Sequence, residues 1–199
     1  NPLSAVCEEI DAFQLTQARE NAGLAGTGIF TGPGVSSVGI FDPGSARMGN
    51  HTIRYTFNTN SGCAAFREQA IQVFFSLRVD AGPDRTVLEG GFIIINATST
   101  GTGLVVNWSP ATGLNDPDIL TPRATPIVDT RYVLLVTTGQ GCSASDDVNV
   151  KVLLKPVIPN TFTPNGDGFN DFWEIKSLDS YPGCIVEVYN TAGSLVYRS

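Results

Sequence analysis

Charge, histidine and long apolar runs are all scarce in this chain, and each shortage removes a class of function. Lys and Arg together number 12 against 19 acidic residues, a formal net charge of −7. Neutralising phosphates requires clustered cations, so nucleic acid is not an expected partner. There is one histidine, His51, and no Ser or Cys in a glycine-flanked elbow accompanies it. A catalytic triad therefore has no basis. The longest apolar stretches, such as Gly91–Asn96, are far too short to span a bilayer as a helix, so no transmembrane segment is expected. The four cysteines lie far apart with no Cys-x-x-Cys pair, which excludes a zinc-finger reading. Helix-forming composition is confined to Asp11–Ala22, and Phe13-Gln14-Leu15-Thr16 inside it suits a strand equally well. The chain opens at Asn1-Pro2 without an initiator Met or a signal-peptide pattern, as expected of a fragment or processed form.

What is present is strand alternation and turn chemistry. In Thr52–Asn58, Ile53, Tyr55 and Phe57 share one face and Arg54 and Thr56 the other. In Asp147–Val152, three valines alternate with Asp147, Asn149 and Lys151. A period of two is the signature of a strand with one wet face. Gly32-Pro33-Gly34, Asp42-Pro43-Gly44, Gly82-Pro83-Asp84, Asn115-Asp116-Pro117 and Asn165-Gly166-Asp167-Gly168 punctuate the chain. Short strands at this spacing indicate an all-β fold of sandwiches.

A diverged repeat lies within the pattern. His51–Phe75 runs strand, Ser61-Gly62-Cys63, strand; Thr130–Leu154 repeats that order around Gln140-Gly141-Cys142. Ile71 and Val73 stand at the same offsets from Cys63 as Val150 and Val152 do from Cys142. These are the last two strands of one sandwich type used twice. The expected modules are residues 1–77 and 78–155, followed by a third segment, 156–199.

Cys7 and Cys63 bracket the first module, and a disulfide between them is expected, closing a loop worth on the order of 4 kcal/mol in the chain-entropy model. Such a bond implies an oxidising compartment. Cys142 and Cys184 either bond each other across a module boundary or stay free. Trp108, in line with Leu104 and Val106, is expected to fill a sandwich core, against a sharper carbohydrate-stacking role. Tyr132 is a candidate corner tyrosine whose hydroxyl bonds to backbone. The paired carboxylates Glu8-Glu9 and Asp146-Asp147 are expected on solvated surface.

The stretch Thr163–Glu174 can be laid on a twelve-residue calcium loop. Asn165, Asp167, Asp171 and Glu174 then supply side-chain oxygens and Phe169 a carbonyl, with Thr163 where the first Asp should stand. A tight turn closed by Asx hydrogen bonds accounts for the same residues. No other cofactor is expected.

Ile158–Trp173, with Pro164, Asn165, Gly166, Asp167, Gly168, Asn170 and Asp171 at its centre, then Tyr181-Pro182-Gly183-Cys184 and Val186–Tyr197, resembles the gliding-motility-associated C-terminal domain of Bacteroidota. That family is the type B sorting domain read by the type IX secretion system. The match spans residues 157–199, a partial sorting domain. Residues 78–154 resemble the PKD-like or immunoglobulin-like repeats that precede such domains, through Asp80–Asp84, Trp108-Ser109-Pro110, Leu120-Thr121-Pro122, Tyr132 and Gly141-Cys142. Residues 1–77 are similar to a related repeat of large surface proteins, through Gly32–Val35, Phe41-Asp42-Pro43, His51-Thr52-Ile53, Tyr55 and Gly62-Cys63. The resemblance implies a non-catalytic stalk and sorting segment, placed extracellularly or at the outer cell surface, with the secretion machinery as partner. An adhesin module binding a polysaccharide or a surface protein is the alternative.

Overall fold

The computed structural model describes residues 3–19 and 21–199. The chain divides into two compact units. Residues 1–78, 99–105 and 136–144 form the first; residues 79–98, 106–135 and 145–199 form the second.

The first unit is built on four strands: β1 (Val6–Cys7), β2 (Gly26–Thr31), β3 (Gly49–Thr59) and β4 (Ala64–Phe74). Their order in the sheet is β1–β4–β3–β2. The β3–β4 hairpin sets the register, pairing Arg54 with Glu68 and Thr56 with Phe66. Arg54 donates to Glu68 across the strands at 2.8 Å and lies 4.4 Å from the Phe66 ring centroid. β1 runs parallel to β4, with Val6 opposite Val73 and Cys7 opposite Phe74.

Facing this sheet, Phe13–Gln14 pairs with Ile40–Phe41, so the ambiguous Asp11–Ala22 stretch contributes a short strand. Leu15, Phe30, Phe41, Ile53, Ile71 and Val73 form the core. The α-helical turn found among the described residues is Pro43–Ala46, and a 3-10 turn follows much later at Leu178–Ser180. Asp42 initiates the α-helical turn by accepting from the amides of Gly44 and Ser45, and Pro43 fits the first helical position because no amide is needed there.

The second module repeats the plan with β5 (Arg85–Leu88), β6 (Val105–Ser109), β7 (Thr130–Thr137) and β8 (Ser143–Leu153), in the order β6–β7–β8–β5. β5 again runs parallel to the last strand, placing Val87 opposite Val152 and Leu88 opposite Leu153. A hairpin cannot join parallel neighbours, so the first and last strands of each module meet only after the whole sandwich has been wound. The core holds Ile95, Trp108, Tyr132, Leu134, Val148 and Val150. Trp108 and Tyr132 are 1% and 0% exposed. The Trp108 ring nitrogen donates to the Ile119 carbonyl and the Tyr132 hydroxyl to the Thr112 carbonyl, each at 2.9 Å. Burying these two side chains is favourable because their polar tips keep partners.

One expectation is overturned. Cys7 bonds to Cys142, at the tip of the β7–β8 hairpin, and the bond lies within the first unit. Cys63 and Cys184 are free and exposed. The reason is strand length. Cys7 lies opposite Phe74, at one end of the 11-residue β4, while Cys63 precedes Ala64 at the other end. At about 3.3 Å per residue that is roughly 30 Å, whereas a disulfide needs Cα atoms within about 7 Å. A Cys142–Cys184 bond is excluded by the same pairing.

Candidate functional site in the C-terminal segment

Residues 157–199 carry an ordered surface without a core: no side chain from residue 153 onward is fully buried. The segment begins where Val157 and Lys176 exchange backbone hydrogen bonds at 3.2 and 3.1 Å. The sequence between them folds back on itself through Thr163, whose amide donates to the Asn170 carbonyl at 2.7 Å. Inside that loop Asp171 is the organiser. Its Oδ1 accepts from the amides of Asn165 and Gly166 at 3.0 and 2.7 Å, and its Oδ2 from the amide of Gly168 at 2.8 Å. Asp167 accepts from the Phe169 amide and from the Asn165 side-chain amide, both at 2.8 Å. Gly166 and Gly168 take φ of +77° and +87°, a backbone region open to glycine at little cost.

These bonds fix the charge state of the loop. The Gly166 amide, followed by that of Gly168, holds the Asp171 carboxyl below its ordinary pKa, and the Phe169 amide does the same for Asp167. Asn165, Asp167 and Asp171 are thus brought together in one loop. Glu174 takes no part in these hydrogen bonds. The Phe169 carbonyl accepts a long contact from the Thr163 hydroxyl at 3.5 Å. The geometry is that of nested Asx turns in which backbone amides engage the carboxylate oxygens.

The loop displays aromatic side chains. Phe169 and Phe172 are 77% and 86% exposed. Phe162 stacks on Trp173 with ring centroids 6.5 Å apart, and the Trp173 ring nitrogen donates to the Pro159 carbonyl. Further on, Tyr181-Pro182-Gly183-Cys184 makes a turn closed by the Cys184 amide on the Tyr181 carbonyl, with Gly183 at φ +82°. The hairpin β9 (Glu187–Tyr189) and β10 (Leu195–Arg198) follows, and Asn190 caps its loop by accepting from Ala192 and Ser194. Leu195, Val196 and Tyr197 remain half or more exposed. This is a bare hairpin face.

The remaining sequence candidates occupy structural posts. The His51 ring nitrogen lies 2.7 Å from the Arg47 carbonyl. Asp146 accepts from the Ala81 amide, and Asp147 takes a two-pronged bond from Arg131 at 2.8 and 2.7 Å. Arg131 in turn lowers the Asp147 pKa. Glu8 pairs with Arg47 at 3.6 Å. Cys7, Glu9 and Cys142 are grouped closely enough to bind a metal. Both sulfurs are already spent on each other, so neither offers a thiolate. Sequence reasoning missed the Cys142 partner; its signal was the shared Thr-x-x-Gly-Cys frame, which marks both hairpin tips.

The architecture defines a tandem of immunoglobulin-like β-sandwiches with a β segment at its end. Residues 157–199 match the family model of the CHU_C type IX secretion signal domain. No curated protein matches the chain. Among solved structures, the insect immune protein hemolin aligns at 11% identity over 64% of this chain and 39% of its own, with a TM-score of 0.36. A C-terminal fragment of intimin, solved with the intimin-binding domain of its translocated receptor, aligns at 12% identity over 69% of this chain and 56% of its own, TM-score 0.42. The first two immunoglobulin domains of DIP-gamma align at 16% identity over 51% and 58%, TM-score 0.32. The chain therefore spans less than two thirds of the length of each of these structures. Among the described residues no helix is long and apolar enough to cross a membrane.

Proposed function

We propose that this chain is a non-catalytic stalk and sorting segment of a protein exported by type IX secretion to the cell surface or the medium. The observation that carries the reading is the match of residues 157–199 to the secretion signal domain, on a segment whose motif is closed by its own hydrogen bonds and whose aromatics face outward. A signal read by another protein must be presented, and Asp171 and Asp167 hold this one in shape by intrachain bonds alone. The two immunoglobulin-like repeats supply the stalk, and the secretion machinery is the partner. Burial of Trp108 and Tyr132 supports packing over sugar stacking, since an aromatic in a core cannot meet a ligand.

The experiment is export of the protein in a bacterium with a type IX system, with and without residues 157–199. Loss of the segment is expected to strand the protein in the periplasm. Undiminished release of the shortened protein would refute the sorting role.

A further inference from the structure

The two hairpin-tip cysteines sit in the same backbone frame. The Cys63 amide donates to the Thr59 hydroxyl at 3.0 Å, and the Cys142 amide to the Thr138 hydroxyl at 3.1 Å. The Thr59 and Thr138 amides donate to the carbonyls of Cys63 and Cys142, each at 2.8 Å. Gly62 and Gly141, at φ +90° and +87°, complete the two turns. The parallel strands correspond as well. Cys7 lies opposite Phe74 and Leu88 opposite Leu153, and these two partners stand at the same offset from their hairpin cysteines. The next amides, of Glu8 and Glu89, donate to the Phe74 and Leu153 carbonyls at 3.0 and 2.9 Å. Cys7 and Leu88 therefore occupy one place in two repeats.

The Cys7–Cys142 disulfide thus joins that place in one repeat to the hairpin tip of the repeat that follows. Cys142 is covered by its bond and is 1% exposed. Cys63, its counterpart, is exposed on an open cleft of about 350 Å³ whose lining is largely apolar, with Phe57, Ala64, Ala65 and Phe66, and includes the cations Arg19 and Arg67. Cys184 is different: it ends a Pro-Gly turn and has no threonine frame.

We propose that Cys63 is the receiving half of the same staple. It forms a disulfide with a cysteine at the Cys7 place of an immunoglobulin-like repeat preceding this one in the polypeptide, and apolar residues of that repeat fill the cleft. The order is set by the observed pair, in which the donor repeat comes first. Both thiols lose a proton, and together they pass two electrons to the disulfide of a thiol oxidoreductase in the oxidising compartment. Cys63 attacks that disulfide first, and the second thiol then displaces the oxidoreductase from the mixed disulfide. Leu88 carries no thiol, so the series ends at the second repeat.

The inference rests on the reading of this chain as the exported end of a longer protein, and one experiment separates the two. Full-length protein from the native host, taken from both medium and cells, is alkylated, digested without reduction and mapped by mass spectrometry. The expected result links the Cys63 peptide to a peptide from the first strand of the preceding repeat, with Cys184 alkylated and Cys63→Ser removing that link alone. Finding Cys63 alkylated, bound to a small thiol, bonded to Cys184 or bonded to another chain overturns the staple. The expected bond in protein that never leaves the cell overturns export and leaves the staple standing.

Discussion

Aspartates in this chain act mainly as acceptors for backbone amides. Asp84 takes the Asn149 amide at 2.8 Å, Asp129 the Val152 amide at 2.7 Å, and Asp146 the Ala81 amide at 2.8 Å. Asp42 is held below its usual pKa by the Ser45 hydroxyl, Asp147 by Arg131 and Asp171 by the Gly166 amide. A carboxyl with a depressed folded pKa contributes stability above the unfolded value of about 3.9, lost as pH falls through the folded value. Burial raises the Tyr132 phenol, so its contribution is intact below about pH 10 and lost as pH rises beyond it. Melting followed across pH should therefore give a plateau that falls at both ends, and Tyr132→Phe should flatten the alkaline fall. Trp108→Ala should cost about 3–5 kcal/mol by denaturant titration, the toll of emptying a large core site. A loss under 1 kcal/mol would mean the second core does not depend on Trp108.

At the scale of elements, alternation made β3 and β8 legible, because one face of each strand is wet and a period of two records it. Trp108 and Tyr132 were legible for a related reason: each lies on a strand whose neighbours leave it no other face. The pairing of Cys7 was not legible. Sequence order places Cys63 in the same module, but register places it at the far end of β4, and register depends on contacts made after winding. The Thr163–Glu174 loop was readable only as two alternatives, since Asn, Asp and Gly serve calcium loops and Asx turns alike. With Asp167 and Asp171 already engaged by amides, a cation would have to displace bonds the loop makes itself. Millimolar calcium is therefore expected to leave the melting temperature unchanged. A rise in the parent that disappears in Asp167→Ala would restore the metal reading. Asp171→Ala should loosen the loop with or without calcium, seen as faster amide exchange at Asn165, Gly166 and Gly168.

For the whole molecule, the consequential bond is Cys7–Cys142, which closes a sequence separation of 135 residues. The chain-entropy model assigns a loop of that length about 5 kcal/mol, and native disulfides measured by removal fall at about 2–5 kcal/mol. Two effects set where this one lies. A long loop removes many conformations from the unfolded chain, which favours the upper end. Residual structure in that chain, if the β3–β4 hairpin persists there, already restricts those conformations and favours the lower end. Unfolding of a two-unit chain also need not be a single transition. Cys7→Ser with Cys142→Ser should therefore lower the stability of the first unit by about 2–5 kcal/mol. The second core, sealed by Trp108 and Tyr132, should keep its original melting temperature, so the two cores should unfold further apart than they do in the parent. The control is Cys63→Ser with Cys184→Ser, which removes the exposed thiols and should change neither. Denaturant unfolding followed by tryptophan fluorescence for the second core, and by amide exchange of Ile53 and Ile71 for the first, separates the two events. Loss of both cores at one lowered midpoint would show that the bond stabilises the chain as one cooperative body instead of one unit within it.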